Sequence, residues 1–148
     1  MKKYIFIIVF LLSYLTGFSQ YIYQGNSSYK NDLIANISNG YIYKGNTQYK
    51  SQIICYFDGK YLYKGNSKYK SDIVAIWVNN KIYNGNNTYH ENLIAIYRHG
   101  KLYYKNTDIV LFTYSNNKVY YRDEIYDSSI LLKTSSYVHP IILYYLLL

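Results

Sequence analysis

Residues 61–80 read YLYKGNSKYKSDIVAIWVNN, and the same pattern recurs on both sides of this stretch. Six copies follow one another without a gap, at residues 21–40, 41–60, 61–80, 81–100, 101–117 and 118–137. The first four copies are close to one another. The fifth lacks three residues of its turn, and the sixth has lost the Gly-Asn pair. A 20-residue period over nearly the whole chain predicts a tandem repeat array and not an ordinary single-core domain.

Each repeat contains two segments with the composition of β-strands. The first is short, as in Tyr61 to Tyr63, and the second is longer, as in Asp72 to Trp77. Both are rich in β-branched and aromatic residues and are bounded by turn formers. A glycine in each of the first four repeats and the lack of a 3.6-residue period argue against helix. The sequence therefore predicts an all-β fold, a tandem array of β-hairpins with pseudo-symmetry.

Two kinds of turn alternate along the array. The long segment leads into a dipeptide such as Asn39-Gly40 or Asp58-Gly59, which tolerates the positive φ angles of a type I′ turn. The short segment leads into a wider turn that contains the Gly-Asn pair, as at 65–69. Each repeat is therefore expected to be one tight hairpin plus a connection of about six residues, a common loop length.

Three rows of apolar residues supply the predicted core, because a lone hairpin is marginal in water. One row holds the middle of each short strand: Ile22, Ile42, Leu62, Ile82, Leu102 and Val119. Two adjacent rows lie on the long strands: Leu33, Ile53, Ile73, Leu93, Ile109 and Ile130, then Ile34, Ile54, Val74, Ile94, Val110 and Leu131. Adjacent positions face opposite sides of a sheet, so we expect the long strands to be apolar on both faces. Small residues follow at Ala35, Cys55, Ala75 and Ala95, which suits a close approach of strands near an axis, with Cys55 buried.

The repeats resemble those of the bacterial 4-fold beta flower family. The shared pattern is I-Y-x-G-N-S-x-Y-x-S-D-I-I/V-A, clearest from Leu62 to Ala75, followed by a turn dipeptide and another I-Y-x-G. The resemblance implies a small all-β domain whose hairpins radiate around a pseudo-fourfold axis. It implies no activity and no binding residues.

The two ends of the chain differ from the array. Residues 1–19 combine Lys2 and Lys3 with an eight-residue apolar run and small residues near Ser19, the pattern of a secretory signal peptide. A retained anchor is the alternative, although the run is shorter than the roughly 20 residues of a spanning helix. We therefore expect a protein that is secreted or located in the periplasm or cell envelope, with a repeat domain at 20–137.

The last segment, residues 138–148, reads VHPIILYYLLL. It is too short to span a bilayer. We interpret it as an apolar cap, a terminal strand or short helix that covers the end of the array. A tail that seeks the membrane surface is the alternative.

Tyrosine is the most unusual feature of the composition, with 24 copies among 148 residues. Two tyrosine rows keep step with the core positions and are expected to pack across strands. They are Tyr23, Tyr43, Tyr63, Tyr83, Tyr103 and Tyr120, and Tyr29, Tyr49, Tyr69, Tyr89 and Tyr126. A third row, Tyr21, Tyr41 and Tyr61, changes to lysine in later repeats, so we expect it to be exposed. Aromatic hydroxyl side chains suit sugar rings or protein partners.

Basic residues accompany the tyrosines, in keeping with a formal net charge of +8. Lys30, Lys50, Lys70 and His90 share one slot of the wider turn, and Lys44 and Lys64 flank it. Such a stripe suits an anionic polysaccharide or lipid headgroups, although a solvated turn face is the simpler reading. The predicted ligand surface comprises Tyr21, Tyr41, Tyr61, Lys44 and Lys64.

The sequence favours neither catalysis nor a bound cofactor. One cysteine and three histidines argue against a disulfide framework and a metal site. Asp32, Asp72 and Asp108 recur before a strand, but a residue repeated in every unit is usually structural. Export argues against a nucleic-acid partner. A site at Arg122, Asp123 or Glu124 in the degenerate repeats is the weakest hypothesis.

The sequence is thus interpreted as a secreted, non-enzymatic repeat module that binds a glycan or a protein at the cell surface or envelope. The alternative is a structural protein whose repeats self-associate. The sequence leaves the ligand, the oligomeric state and the biological process unassigned.

Overall fold

The computed structural model describes residues 19–148, which form twelve strands and one α-helix. The strands are β1 Gln20–Gln24, β2 Leu33–Ser38, β3 Tyr41–Lys44, β4 Ile53–Phe57, β5 Tyr61–Lys64, β6 Ile73–Val78, β7 Lys81–Asn84, β8 Leu93–Arg98, β9 Lys101–Tyr104, β10 Val110–Ser115, β11 Lys118–Tyr121 and β12 Ile130–Thr134. The helix, α1, is Pro140–Leu147. The predicted all-β hairpin array is confirmed. The predicted signal peptide lies almost wholly outside the described residues.

The strands form one closed antiparallel barrel. Each strand pairs with its neighbours in sequence, and β1 pairs with β12 to close the ring. In that closing pair Ile22 lies opposite Thr134 and Gln24 lies opposite Leu132. Six repeats therefore complete the ring, and the pseudo-fourfold axis implied by the resemblance is wrong in its number. Because two degenerate repeats still form full strand pairs, the symmetry is sixfold.

The connections alternate between the two ends of the barrel, because successive strands run in opposite directions. All the wide turns, which contain Gly-Asn in four repeats, lie at one end, here called the rim. All the tight hairpin turns lie at the other end. Five of the six wide turns contain a short 3₁₀ segment, such as Lys70–Asp72.

The tight turns have the predicted type I′ character at four of their five positions. Both central residues have positive φ at Asn39 and Gly40, with 52° and 79°. The turns at 79–80, 99–100 and 116–117 are alike. The turn at Asp58-Gly59 differs, since only Gly59 has a positive φ. There the Asp58 carboxylate accepts hydrogen bonds from the backbone N–H groups of Lys60 and Tyr61, at 2.9 and 2.7 Å.

A β-bulge recurs in every long strand and brings two adjacent residues to the interior side. In β2, Ala35 lies opposite Ile22 and Leu33 lies opposite Tyr23, so Ile34 is the extra residue. Ile34 and Ala35 consequently both pack with the interior cluster, instead of facing opposite sides of the sheet. The bulge also shows that the predicted row positions of the fifth repeat, Ile109 and Val110, are wrong by one residue. Val110 pairs with Tyr103, and Ile109 is exposed.

The carbonyl of the bulge residue accepts a hydrogen bond from the wide turn of the next repeat. The N–H of Gly45 donates to the carbonyl of bulge residue Ile34 at 2.8 Å, and the N–H of Gly25 donates to Leu131 across the closing pair at 2.9 Å. Gly45 has φ of 57°, a region that glycine enters without steric cost. In the two degenerate repeats Lys105 and Arg122 take the same conformation, with φ of 46° and 50°, and donate the equivalent bonds to Ile94 and Leu111 at 2.8 and 3.4 Å.

The barrel interior is lined by the middle of each short strand and by the small residues of the long strands. All six residues of the first row are fully buried: Ile22, Ile42, Leu62, Ile82, Leu102 and Val119. Ala35, Cys55, Ala75 and Ala95 are also buried. Because the ring is closed, these small side chains leave space for a filling element and do not bring strands to an axis.

Helix α1 fills that space. Pro140, Ile141, Ile142 and Leu143 are buried, and the last three belong to the same hydrophobic cluster as the inner wall. The chain enters from the hairpin end, where the His139 ring lies 4.5 Å from Trp77 and 4.7 Å from Phe57 between ring centroids. Residues 138–148 are thus a plug inside the ring.

At the hairpin end, the hydroxyl of Tyr114 accepts a hydrogen bond from the backbone of the plug. The N–H of Val138 donates to the Tyr114 hydroxyl at 2.9 Å, and that hydroxyl lies 3.0 Å from Thr134 Oγ1. His139 then caps the helix, since its Nδ1 accepts from the N–H of Ile141 at 3.4 Å. Tyr144, one turn before the C-terminus, lies near the rim beside Asn84 and Lys105.

Candidate functional site

The tyrosines of the rim are among the most exposed large hydrophobic side chains of residues 19–148. Their exposed fractions run from 66 to 79%, against the expectation that this row would pack across strands. The rim tyrosines are Tyr29, Tyr49, Tyr69, Tyr89 and Tyr126. The expectation failed because these residues stand in the turns and not in the strands, so they have no cross-strand neighbour.

The backbone fixes each rim tyrosine in the same way. Tyr69 has extended φ and ψ angles of −80° and 143°, and its carbonyl accepts from the N–H of Asp72 at 2.9 Å. The same bond opens the turns at Tyr29, Tyr49, Tyr89 and Tyr126, at 2.8 to 3.0 Å. The rim therefore presents equivalent aromatic side chains from a defined backbone, which lowers the entropy lost on binding.

The recurring aspartates of the rim are parts of this scaffold. Ser67 Oγ donates to the Asp72 carboxylate and accepts from the N–H of Tyr69 at 3.1 Å. Ser27 and Asp32 repeat the arrangement. The repeated carboxylates thus hold the tyrosine turn in place, as expected of a residue that recurs in equivalent turns.

Basic side chains stand next to the rim tyrosines. Lys30, Lys50, Lys70 and His90 each follow a rim tyrosine directly and are exposed. In the sixth repeat Asp127 takes this position, and Asp123 and Glu124 precede it. The rim is therefore basic along the first three repeats and acidic at the sixth.

A second group of tyrosines lies on the outer wall of the barrel. Five rings form a continuous chain, in the order Tyr43, Tyr41, Tyr56, Tyr63 and Tyr61, with ring centroids 4.6 to 6.3 Å apart. The register explains the chain, because Tyr41 lies opposite Tyr56, and Tyr56 opposite Tyr63. Within the row that contains Tyr43 and Tyr63, the Tyr63 ring packs against Tyr56 of the neighbouring strand, as predicted.

A lysine covers part of this wall. Lys68 Nζ lies 4.4 Å from the centroid of the Tyr56 ring and 5.4 Å from that of Tyr41. Hydrogen bonding to the Tyr41 hydroxyl is the main cause that raises the pKa of Lys68. The Tyr63 hydroxyl donates to the Asp58 carboxylate at 3.2 Å, and burial with this neighbour raises its pKa.

The five residues of the predicted ligand surface do not form one site. Tyr41 and Tyr61 belong to the wall chain, whereas Tyr21 lines a separate pocket between the first two repeats. Lys44 and Lys64 are exposed at strand ends. Strand alternation places Lys44 and Lys64 on the sheet face opposite Tyr41 and Tyr61.

The charged residues of the degenerate repeats pair within the chain. Asp123 accepts from Lys101 Nζ at 2.6 Å, and Asp127 lies 3.5 Å from Lys118 Nζ. The Arg122 guanidinium lies 5.1 Å from the Tyr121 ring centroid. This region therefore resembles a solvated wall more than an assembled reaction centre.

Buried reactive groups are shielded by the plug and the inner wall. Burial raises the pKa of the Cys55 thiol to about 12, so it stays protonated at neutral pH. Burial lowers the pKa of His139 to about 4. Within residues 19–148, no group of three or more His, Cys, Asp or Glu side chains is arranged to hold a metal ion.

Sequence reasoning assigned the rim tyrosines to packing although the sequence carried a signal of exposure. In the third repeat Tyr69 stands within Asn66-Ser67-Lys68-Tyr69-Lys70-Ser71, a polar stretch with no apolar alternation. Such stretches lie on the surface and commonly carry binding residues.

The number of repeats in the ring agrees with the comparison of the chain with known families. The family model of the 6-fold beta flower protein matches residues 22–143, from the first short strand into α1. The chain belongs to the 6-fold beta flower family. The match includes the start of the plug, so the helix and the array lie within one family unit.

Other comparisons add no relative, since no curated protein and no solved structure matches the chain. Among residues 19–148 of this beta flower protein, no helix has the length and apolarity needed to cross a membrane.

Proposed function

We propose that this beta flower protein is an exported, non-enzymatic module that binds a polysaccharide or a protein at the cell surface or envelope through its rim tyrosines. The observation that carries the proposal is the exposure of five tyrosines at equivalent rim positions. Tyrosine supplies large amphipathic contact area at a low cost in conformational entropy, so a regular exposed set suits binding to a partner.

Multivalency supports the choice of a surface partner. The rim tyrosines are spaced around one end of a closed ring, so several can meet a repetitive or extended surface together. Weak contacts that engage together give an avidity well above that of each contact. The lysines beside Tyr29, Tyr49 and Tyr69 favour approach to a negatively charged surface, which does not require the bound unit itself to be charged.

The roles of the carboxylates support a binding module over an enzyme. Asp32 and Asp72 accept hydrogen bonds that hold the tyrosine turns, and Asp123 pairs with Lys101. These groups are occupied by structural contacts, which leaves little for acid and base chemistry.

Co-sedimentation of the purified protein with insoluble polysaccharides and envelope fractions tests the proposal. The salt concentration is about 150 mM, so that weak charge attraction is screened. We expect saturable binding that falls at least about tenfold when the five rim tyrosines become serine, because they are the exposed anchors. Tyr121→Ser with Tyr137→Ser is the control, since both are exposed tyrosines outside the rim row.

Two other results would contradict binding through the rim tyrosines. Loss of binding in a Tyr41→Ser, Tyr61→Ser variant, with the rim variant unaffected, would move the site to the wall. Recovery of the protein in the supernatant, together with oligomers that grow with concentration, would favour self-association instead.

A further inference from the structure

The sixfold repeat creates a series of equivalent slots on the outer wall next to the rim. Each slot lies between the first residue of a short strand, the residue opposite it on the following long strand, and the wide turn of the next repeat. In the first slot the two strand residues are Tyr21 and Asn36, which lie opposite each other.

Side chains of the chain itself fill equivalent slots elsewhere in the ring. In the second slot Lys68 lies over the rings of Tyr41 and Tyr56. In the fifth slot Lys101 pairs with Asp123. In the sixth slot Lys133 Nζ donates to Ser28 Oγ at 2.6 Å.

The first slot remains open as a pocket of about 470 Å³. Its lining residues are Tyr21, Asn36, Asn46, Thr47, Gln48 and Tyr49. Gln48 stands where Lys68 fills the second slot, and the shorter neutral side chain does not cover the opening. The volume is within the range of about 300 to 1,000 Å³ found for small-molecule sites.

Asn36 gives this slot an unused hydrogen-bond acceptor. The side chain is only 1% exposed, and its Nδ2 donates to the carbonyls of Gly45 and Thr47 at 2.8 and 2.7 Å. Its Oδ1 is buried without a hydrogen-bond partner. An orphaned buried acceptor is unfavourable, so a small shift of the lining that lets a ligand hydroxyl reach this atom would stabilise the complex.

The equivalent residue of the fifth slot shows that an asparagine is not required for the fold. Thr113 Oγ1 donates to the carbonyl of Arg122 at 2.7 Å. This hydrogen bond, here called the brace, is equivalent to the one from Asn36 to Gly45. Threonine thus supplies the structural bond without the additional carbonyl. The brace therefore does not require the Oδ1 atom of Asn36.

The lining selects a chemical class of ligand. Side-chain amides and a hydroxyl suit ligands with several hydroxyl groups, and the lining has no charged side chain. Tyr49 is exposed and Tyr21 is half-buried, so both rings offer apolar area to a flat ligand face. We propose that the first slot binds one unit of a neutral saccharide, an inference that rests on the proposed function and names a ligand class for it.

Titration calorimetry with maltotriose, cellotriose and chitotriose tests the slot, because these are soluble neutral saccharides with different linkages. We expect saturable binding of at least one of them, weakened at least about tenfold by Asn36→Thr and by Tyr49→Ser. Asn36→Thr keeps the bond to Gly45, as Thr113 does in the fifth slot, and removes the amide carbonyl together with the bond to Thr47. Tyr49→Ser changes an exposed side chain, so it tests the slot even if the Asn36 variant does not fold.

Matched variants elsewhere test whether the slot itself binds. Tyr104→Ser and Tyr121→Ser remove exposed tyrosines outside the first slot and outside the rim row, and they are expected to change the affinity by less than about twofold. Equal weakening by Tyr49→Ser, Tyr69→Ser and Tyr89→Ser would overturn the slot and leave the rim as the binding surface. Absence of binding to all three saccharides would also overturn the slot, whereas the proposed function depends on the separate co-sedimentation result.

Discussion

At the residue scale, His139 is the group most sensitive to pH in the interior. Its ring packs between Phe57 and Trp77, and burial lowers its pKa from 6.5 to about 4. Between these two values the unfolded chain binds a proton that the folded protein does not bind. Stability is therefore complete above about pH 7 and falls as the pH decreases through this window.

We predict that acidification from pH 7 to pH 5 lowers the free energy of unfolding through this histidine. The expected loss is about 1 to 2 kcal/mol, after allowance for solvent contact of the half-buried ring. His139→Asn is the control, because asparagine keeps an acceptor at the helix N-cap and does not titrate. Urea unfolding at both pH values measures the difference, and equal losses in the two proteins would contradict the assignment.

At the scale of elements, α1 is an eight-residue helix whose stability comes from its surroundings, since isolated helices of this length are marginal in water. Leu143 is fully buried against the inner wall, whereas Leu148 is 71% exposed beyond the helix end. The two leucines therefore form a matched pair within one segment.

We predict that Leu143→Ala destabilises the protein by about 2 to 5 kcal/mol, because it leaves a cavity inside the ring. Leu148→Ala is expected to change stability by less than about 0.5 kcal/mol, as for most surface substitutions. Thermal and urea unfolding of both variants provide the measurement. Similar effects of the two substitutions would show that the helix does not pack inside the barrel in solution.

The elements also show which parts of the structure can be inferred from sequence. The 20-residue period predicts the hairpins, and dipeptides such as Asn39-Gly40 predict the tight turns, because both depend on local backbone chemistry. The bulge at Ile34 is invisible to a strict two-residue alternation, which would place Ala35 on the sheet face opposite Ile34. The interior position of α1 depends on ring closure, which no local pattern encodes.

The candidate site was harder to predict than the fold for a similar reason. Tyrosine suits both a cross-strand pair and an exposed turn, so the residue type alone did not separate Tyr63 from Tyr69. The pocket at Asn36 arises from the side chain that the neighbouring repeat brings to it. A contact between repeats is set by register, which becomes visible only in the folded ring.

At the scale of the whole molecule, the number of repeats sets the width of the barrel. Twelve strands enclose a space that small residues such as Ala35 and Ala75 enlarge and α1 occupies. A ring with one repeat fewer keeps equivalent strand pairs but encloses less space, because barrel diameter grows with strand number.

We predict that deletion of residues 61–80 retains β-structure but expels the helix. The expected melting temperature is at least about 10 °C lower, because loss of the plug removes several buried side chains. Circular dichroism measures the strand content, and amide hydrogen exchange of residues 141–143 reports on the helix. Native-like protection of these amides in the shortened protein would contradict the link between repeat number and plug.

The pairing of β1 with β12 has a consequence for how the protein is made. A chain synthesised from its N-terminus has β1 almost from the start, but its partner ends at Thr134, and the filling helix comes later still. Until β12 and α1 are made, the growing sheet has an unpaired edge strand and an uncovered apolar inner face. Maturation is therefore an all-or-none final event, and an incomplete chain is the form most open to capture by a chaperone or by another copy of itself.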